Sequence, residues 1–445
     1  MRGRRWHLVA SATLALWAGS ASAQTQNLLD IWSKALERDP VFASAKANRN
    51  AILEKVPQAR AQLLPFLTGS TGAELDDVRR TNFDRDRTEK RGTWAVTLTQ
   101  PIIDIAAWEQ LKQSQLEAES ADLAVQQAWQ DLLLRVAQAY FGVLAAQDTL
   151  VTLDAQKRAI TNQLEAAKKG FELGSATIAD TYEAQARLDL INASEIEARN
   201  TLQVSQDQLQ KIINERPQDL AGLSGNISLP PPQPARITDW TSQAGQASLE
   251  VARALLSTRI AEKQINIAKS GHYPTLDFYA QSGSTSDRGI YGPQAGPRSV
   301  DSTVGVQLSI PIFAGGGISS RVREQTSVLQ RTRYDLESTR RQAVQLTQQY
   351  FSGVVSGLAQ VNALQAAEKS SKASLDANQT GYEVGVRVNI DVLNAQQQLY
   401  ETQRALANAR YNTLLNGLRL KAVAGTLTED DLRGVNALLA SQNNK

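Results

Sequence analysis

The 445 residues contain no cysteine, one methionine and two histidines, His7 and His272. A disulfide scaffold, a Cys-ligated metal site and a thiol nucleophile are therefore excluded. So is a metal cage or mechanism built on paired histidines, since only His272 would survive removal of a leader. Charge of one sign is lacking too. The 47 basic and 45 acidic residues nearly cancel, so nothing favours nucleic acid. No apolar stretch beyond the first 23 residues reaches the ~20 residues that a membrane helix requires. No catalytic triad, carboxylate pair, metal site or cofactor motif can be assembled. Gly315-Gly316-Gly317 lacks the lysine of a phosphate loop, and His272 beside Tyr273-Pro274 reads as a strand-entry residue.

The N-terminus has a different character. Arg2, Arg4 and Arg5 precede a short apolar run, and Ala21-Ser22-Ala23 reads as a cleavage site. Residues 1–23 are thus an expected signal peptide, leaving an exported, nearly neutral protein. If such a protein enters a membrane, it must do so through β-strands.

Proline is also missing where it would do most harm. All 13 prolines lie at or before Pro311, and none falls within residues 102–216 or 312–445. Because proline costs ~3 kcal/mol inside a helix, these runs are candidate long helices. Trp129, Leu133, Val136, Tyr140, Val143 and Leu150 follow heptad spacing, and Val322, Leu329, Leu336, Ala343, Tyr350, Gly357 and Leu364 recur every seven residues. Gln325, Thr332 and Thr339 are assigned to the wet side of the second helix.

The two halves repeat one another. Gly170-Phe171-Glu172-Leu173-Gly174, then Asp180, Ala184, Gln185 and Leu188, recur 211 positions later as Gly381-Tyr382-Glu383-Val384-Gly385, then Asp391, Ala395, Gln396 and Leu399. Tyr140-Phe141, Pro101-Ile102 and Pro65 recur at nearly the same offset. Each unit reads as a helix (27–60 and 239–270), two alternating strands (66–75 and 92–100; 275–285 and 302–310), then a long helical hairpin. The expected division is a first unit over 24–216, a proline-rich linker over 217–238, a second unit over 239–424 and a C-terminal segment over 425–445. Residues 76–91 and 287–298 are expected surface loops. Trp94, Phe278, Tyr279 and Tyr291 are candidates for an aromatic belt at a membrane surface.

Four strands cannot close a membrane barrel, whose minimum is about eight, and open sheet edges cannot face lipid. Several chains must then share one barrel, with three or two copies as the counts to consider.

Over nearly all of residues 24–445 the chain resembles the TolC family of outer-membrane channels. The resemblance is carried by Leu98-Thr99-Gln100-Pro101-Ile102, Ala139-Tyr140-Phe141, Leu308-Ser309-Ile310-Pro311-Ile312-Phe313, the Gly381–Gly385 motif through Asp391-Val392-Leu393, and Leu406-Ala407-Asn408-Ala409-Arg410-Tyr411-Asn412. It implies a membrane α+β fold. In a homotrimer, four strands per protomer would form a shared twelve-stranded outer-membrane barrel, continuous with a long periplasmic coiled-coil barrel. The implied role is passive exit from the periplasm for an efflux pump, a type I secretion system or both, with no catalysis. Implied partners are outer-membrane lipid, a periplasmic adaptor docking at the Gly170, Gly174, Gly381 and Gly385 tips, and an inner-membrane transporter of ABC or RND type. The family's gate maps onto Asp180, Tyr382, Arg387 and Arg410, although Ala179 replaces a threonine. Its constriction maps onto Asp391, with Asn394 where a second acidic ring would stand. A periplasmic coiled-coil scaffold without a pore is the other reading, but it leaves the strands without a purpose.

Overall fold

The computed structural model describes residues 25–78, 87–225, 227–289 and 299–439. The expected signal peptide, much of both strand-connecting loops and Tyr291 lie outside the described residues. The elements run α1 (Leu28–Arg38), α2 (Pro40–Leu53), α3 (Lys55–Ala61), β1 (Phe66–Val78), β2 (Arg87–Ile103), α4 (Ile105–Glu172) and α5 (Ile178–Ile213). Then follow α6 (Ile237–Ala247), α7 (Leu249–Ser270), β3 (Thr275–Gly289), β4 (Ser299–Ser309), α8 (Gly317–Glu383), α9 (Asn389–Val423) and α10 (Glu429–Asn436). No helix among the described residues is long and apolar enough to cross a membrane.

The proline-free runs form α4 and α8, of 68 and 67 residues, each about 100 Å long at 1.5 Å per residue. Every heptad position read on α8 is buried or half-buried. One expectation fails there. Gln325, Thr332 and Thr339 are half-buried rather than wet, because they alternate three and four residues from the apolar set and complete the same seam. The expected helix over 27–60 is broken as well. Pro40 drives Asp39 out of the helical region, to φ −70 and ψ 119, and occupies the first position of α2. The buried Asp39 carboxylate caps α2 by accepting from Phe42 N at 2.7 Å and takes a two-pronged bond from Arg135 of α4 at 2.9 and 3.1 Å. Burial pushes its pKa up, but the guanidinium and backbone donors outweigh this and hold it below the usual range. The expected helix over 239–270 likewise parts at Ser248.

Midway along α4, the N-terminal segment, the linker and α10 gather into one core. Tyr140 Oη donates to Ala221 O at 2.7 Å and Gln26 O at 3.3 Å, and Leu28 N donates to Asn436 Oδ1 at 3.0 Å. Short bridges pair Gln26 with Leu220 and Leu223 with Leu439. Leu132, Leu133, Val136 and Phe141 are fully or almost fully buried here, and Phe141 stacks on Tyr411 at 5.5 Å.

Nearer the sheet, Glu109 joins α4 to α7. It accepts from Lys112 at 2.8 Å and from Lys263 and Asn266 at 3.1 Å. Burial raises its pKa, but these three donors prevail and bring it down from 4.5 to about 2.

The strands form one antiparallel meander in the order β1-β2-β3-β4, so the central β2–β3 pairing joins the two repeats. The register sorts the side chains by face. Leu67, Leu98, Ala280 and Val304 lie in one row, and Trp94, Ser284 and Val300 in another row of the same face. The opposite face carries Thr68, Thr97, Gln281 and Thr303. One face is therefore apolar and the other polar. Trp94 and Phe278 fall on the apolar face; Tyr279 does not. It lies on the polar face over Gly305, where an added Cβ would come within 2.9 Å of its hydroxyl, so it leaves the expected aromatic belt. On the apolar side Val304 is 70% exposed within the protomer.

Two outcomes follow. Val304→Arg, on the apolar face, is expected to cost about 2–4 kcal/mol in lipid, whereas neighbouring Thr303→Arg should cost about 1 kcal/mol or less; urea unfolding in vesicles measures both. Glu109→Gln is expected to cost about 2 kcal/mol at neutral pH. Because the folded pKa is depressed, that contribution is complete above pH 4.5 and drains as pH falls toward about 2. Unfolding across that interval should bring wild type and variant together.

Candidate gate at the helical hairpin tips

Far from the sheet, each long hairpin turns on the same five-residue motif. At the first tip Gly174 takes φ +73, and Gly170 O accepts from Ser175 N at 2.8 Å and Ala176 N at 3.1 Å. At the second, Gly385 takes φ +77, and Gly381 O accepts from Val386 N at 2.8 Å and Arg387 N at 3.0 Å. Left-handed backbone favours glycine at 174 and 385, while at 170 and 381 an added Cβ would come within 3.0 Å of Ala176 and 2.7 Å of Arg387.

The two tips then differ in how they cap the helix that follows. Thr177 caps α5, and Asp180 accepts from Thr177 N at 2.9 Å and from Thr177 Oγ1 at 2.7 Å, a full capping box. The matching residue before α9 is Val388, which has no side-chain oxygen. Asp391 accepts only a long 3.5 Å bond from Val388 N, and its carboxylate faces Arg387 Nη1 at 3.7 Å. That pair is exposed and contributes little stability.

Of the four residues assigned to a latch, three gather at this end of the molecule. Tyr382 is half-buried, which raises its pKa, and the nearby Asp180 carboxylate adds to the rise. Arg387 lies one turn from Asp391. Arg410 is elsewhere. It stands nineteen residues beyond Asp391 on α9, about 28 Å along the helix, where its Nη2 donates to Gly225 O at 3.2 Å. Within one protomer it cannot reach the others, because the straight run of α9 carries it back toward the mid-helix core.

The structure adds residues that sequence reasoning passed over. Asn389, 2% exposed, accepts from Gln163 Nε2 at 2.5 Å and donates to Asp180 O at 3.2 Å, so it touches both α4 and α5. Arg187 of α5 donates to Asn394 Oδ1 at 3.1 Å and to Gln397 Oε1. Arg404 bonds Gln156 at 3.2 Å, and Tyr411 donates to Asp148 at 2.6 Å. Burial raises the pKa of Asp148, which the Tyr411 bond partly offsets. A signal existed for the first of these: Asn389 takes the place that Ile178 holds in the other repeat.

These contacts divide the helical end into two kinds of seam. Within the first hairpin the buried residues are Leu153, Ile160, Leu164, Ala184 and Ile191; within the second they are Leu375, Val392 and Leu399. Between the hairpins Leu393 makes an apolar contact, but amides, guanidinium groups and the Tyr400 phenol supply most of the bonds. Water can replace those bonds at small net cost, whereas separating an apolar seam costs ~25 cal/mol per Å² exposed.

Comparison with known proteins agrees with this architecture. The family profile described as "Outer membrane efflux protein" matches residues 31–215 and 240–426. Outer membrane protein TolC of Escherichia coli (strain K12) is 35% identical over 439 residues, covering 96% of this chain and 88% of that protein. Alkaline protease secretion protein AprF of Pseudomonas aeruginosa is 32% identical over 422 residues, covering 93% and 87%. The fold matches the CmeC outer membrane channel of Campylobacter jejuni with a TM-score of 0.80 at 14% identity, over 99% of this chain and 98% of that one. With family, relatives and fold in agreement along nearly its whole length, the chain belongs to the outer membrane efflux protein family, that of TolC, and is an outer-membrane efflux channel with a periplasmic helical barrel.

Proposed function

We propose that three copies close their sheets into a twelve-stranded barrel and their hairpins into one tunnel. The observation that carries this is the sheet itself, apolar on one face, polar on the other, with β1 and β4 as edges. Lipid accepts the apolar face but not the edges, and neighbouring copies supply the pairing that each edge lacks. The polar face then lines a water-filled lumen. The repeat units 24–216 and 239–424 each give two strands and a hairpin, while 217–238 and 425–445 form a belt at mid-height.

Such a tunnel gives passive exit from periplasm to exterior. AprF is named for protease secretion and TolC for the outer membrane, while the family profile is named for efflux. These support service in a tripartite efflux pump, a type I secretion system or both, energised by an inner-membrane transporter of ABC or RND type. The tips expose apolar side chains, with Leu173 84% and Val386 78% exposed, a surface suited to a periplasmic adaptor. Asp180, Tyr382 and Arg387 hold the tips closed, Arg387 by reaching the neighbouring copy when it leaves Asp391. Three Asp391 carboxylates around one axis then form a cation-binding ring.

Planar-bilayer recording tests this. Tyr382→Phe combined with Arg387→Ser removes a phenol and a guanidinium. Bonds to charged groups are worth roughly 1.5–3 kcal/mol, enough to shift a closed-to-open balance by about tenfold or more. Conductance should rise several-fold; unchanged conductance would place the gate elsewhere.

A further inference from the structure

Arg187 has no part in the gate considered so far, yet it bonds across the hairpins to Asn394, one turn beyond Asp391. Its guanidinium spans Asn394 and Gln397, which lie three residues apart and so on one face of α9. Gln397 is oriented for this by donating its own Nε2 to Glu401 at 2.8 Å, which turns its oxygen toward Arg187. The two acceptors suit the rigid fork of an arginine and would not suit a lysine equally well.

Both acceptors are neutral amides. Among the described residues no carboxylate pairs with Arg187, so its charge is bonded but not cancelled. Asn394 lies one turn from Asp391, which sets this positive charge close to the proposed carboxylate ring. An aspartate at 394 would neutralise Arg187; the asparagine holds it in place and leaves the charge standing.

We propose that Arg187 is a further gate residue with two roles, clasping α9 to α5 and setting ion selectivity by opposing Asp391. The proposal rests on the channel reading above. It also changes what position 394 does. A carboxylate there would first be spent on Arg187 and would add no free ring.

Conductance, reversal potential under a salt gradient, and block by hexaamminecobalt(III) test this in planar bilayers with the full-length protein. Arg187→Ala should raise conductance by about threefold or more, since even the loss of one charge-assisted bond shifts the balance by that factor, and should move the reversal potential toward cation selectivity. Arg187→Lys keeps the charge but not the fork, so conductance should rise while selectivity stays near wild type. Asn394→Asp alone should leave block unchanged. In the Arg187→Ala background the same substitution should tighten block by about tenfold, because its carboxylates are then free. Arg187→Ala with wild-type conductance and reversal potential would overturn the proposal. So would Asn394→Asp tightening block equally in both backgrounds. A wild-type protein that carries no current would overturn the channel reading, and this proposal with it.

Discussion

A backbone N–H or C=O without a partner in hydrocarbon costs several kcal/mol, and a sheet edge presents a row of them. Here β1 and β4, of 13 and 11 residues, are both edges of the four-stranded sheet. Among the described residues no helix packs on the apolar face either, where Leu67, Val96 and Val304 are exposed. Closure with further copies answers both demands at once. The long helices inherit the arrangement. The first strand pair runs directly into α4 and the second reaches α8 through residues 310–316, so a ring of strands imposes a ring of hairpins.

Burial is then distributed along those hairpins in a way that suits a conduit. The mid-helix core, with Trp32 edge-on to Trp129 at 5.4 Å and Tyr140 bonded to two segments distant in sequence, is the most densely apolar part of the molecule. Toward the tips, apolar contact persists within each hairpin and gives way to amides and guanidinium groups between them. That gradient makes the waist the most heavily buried part of the helical region. The exchange of Thr177 for Val388 between the repeats changes the cap on a shared turn. One aspartate is tied into its cap, and the other is left with an exposed pair to Arg387.

Much of the architecture was legible in the chain. Period-two alternation and the prolines at 65, 101, 274 and 311 located the strands, and the proline-free runs located the hairpins. The tip glycines were legible because left-handed backbone allows few substitutes. Other features were not. A heptad shows which face of a helix is covered but not by which partner, so the Arg187–Asn394 contact and the remote position of Arg410 were out of reach. Gln325 and Thr332 were read as wet because polarity was taken for exposure, whereas they fill the polar half of a shared seam. The strand ends extended past their expected limits, β1 to Val78 and β2 from Arg87, because backbone pairing continues beyond the apolar alternation from which those limits were read. Tyr279 was misplaced for the opposite reason, since alternation within one strand leaves its facing open until cross-strand register is known.

Edge closure between copies is the claim on which all of this depends, and the absence of native cysteine makes it directly testable. In the protomer β1 and β4 are separated by three strand spacings, about 14 Å, well beyond the ~7 Å that a disulfide can bridge. Ser70→Cys on β1 and Thr303→Cys on β4, both on the polar face, introduced together and treated in outer membranes with a short thiol cross-linker, provide the measurement. The account predicts covalent dimers and trimers, ending at three copies and absent from either single variant. Cross-linking confined to one chain, or none at all in a membrane-inserted protein, would contradict it.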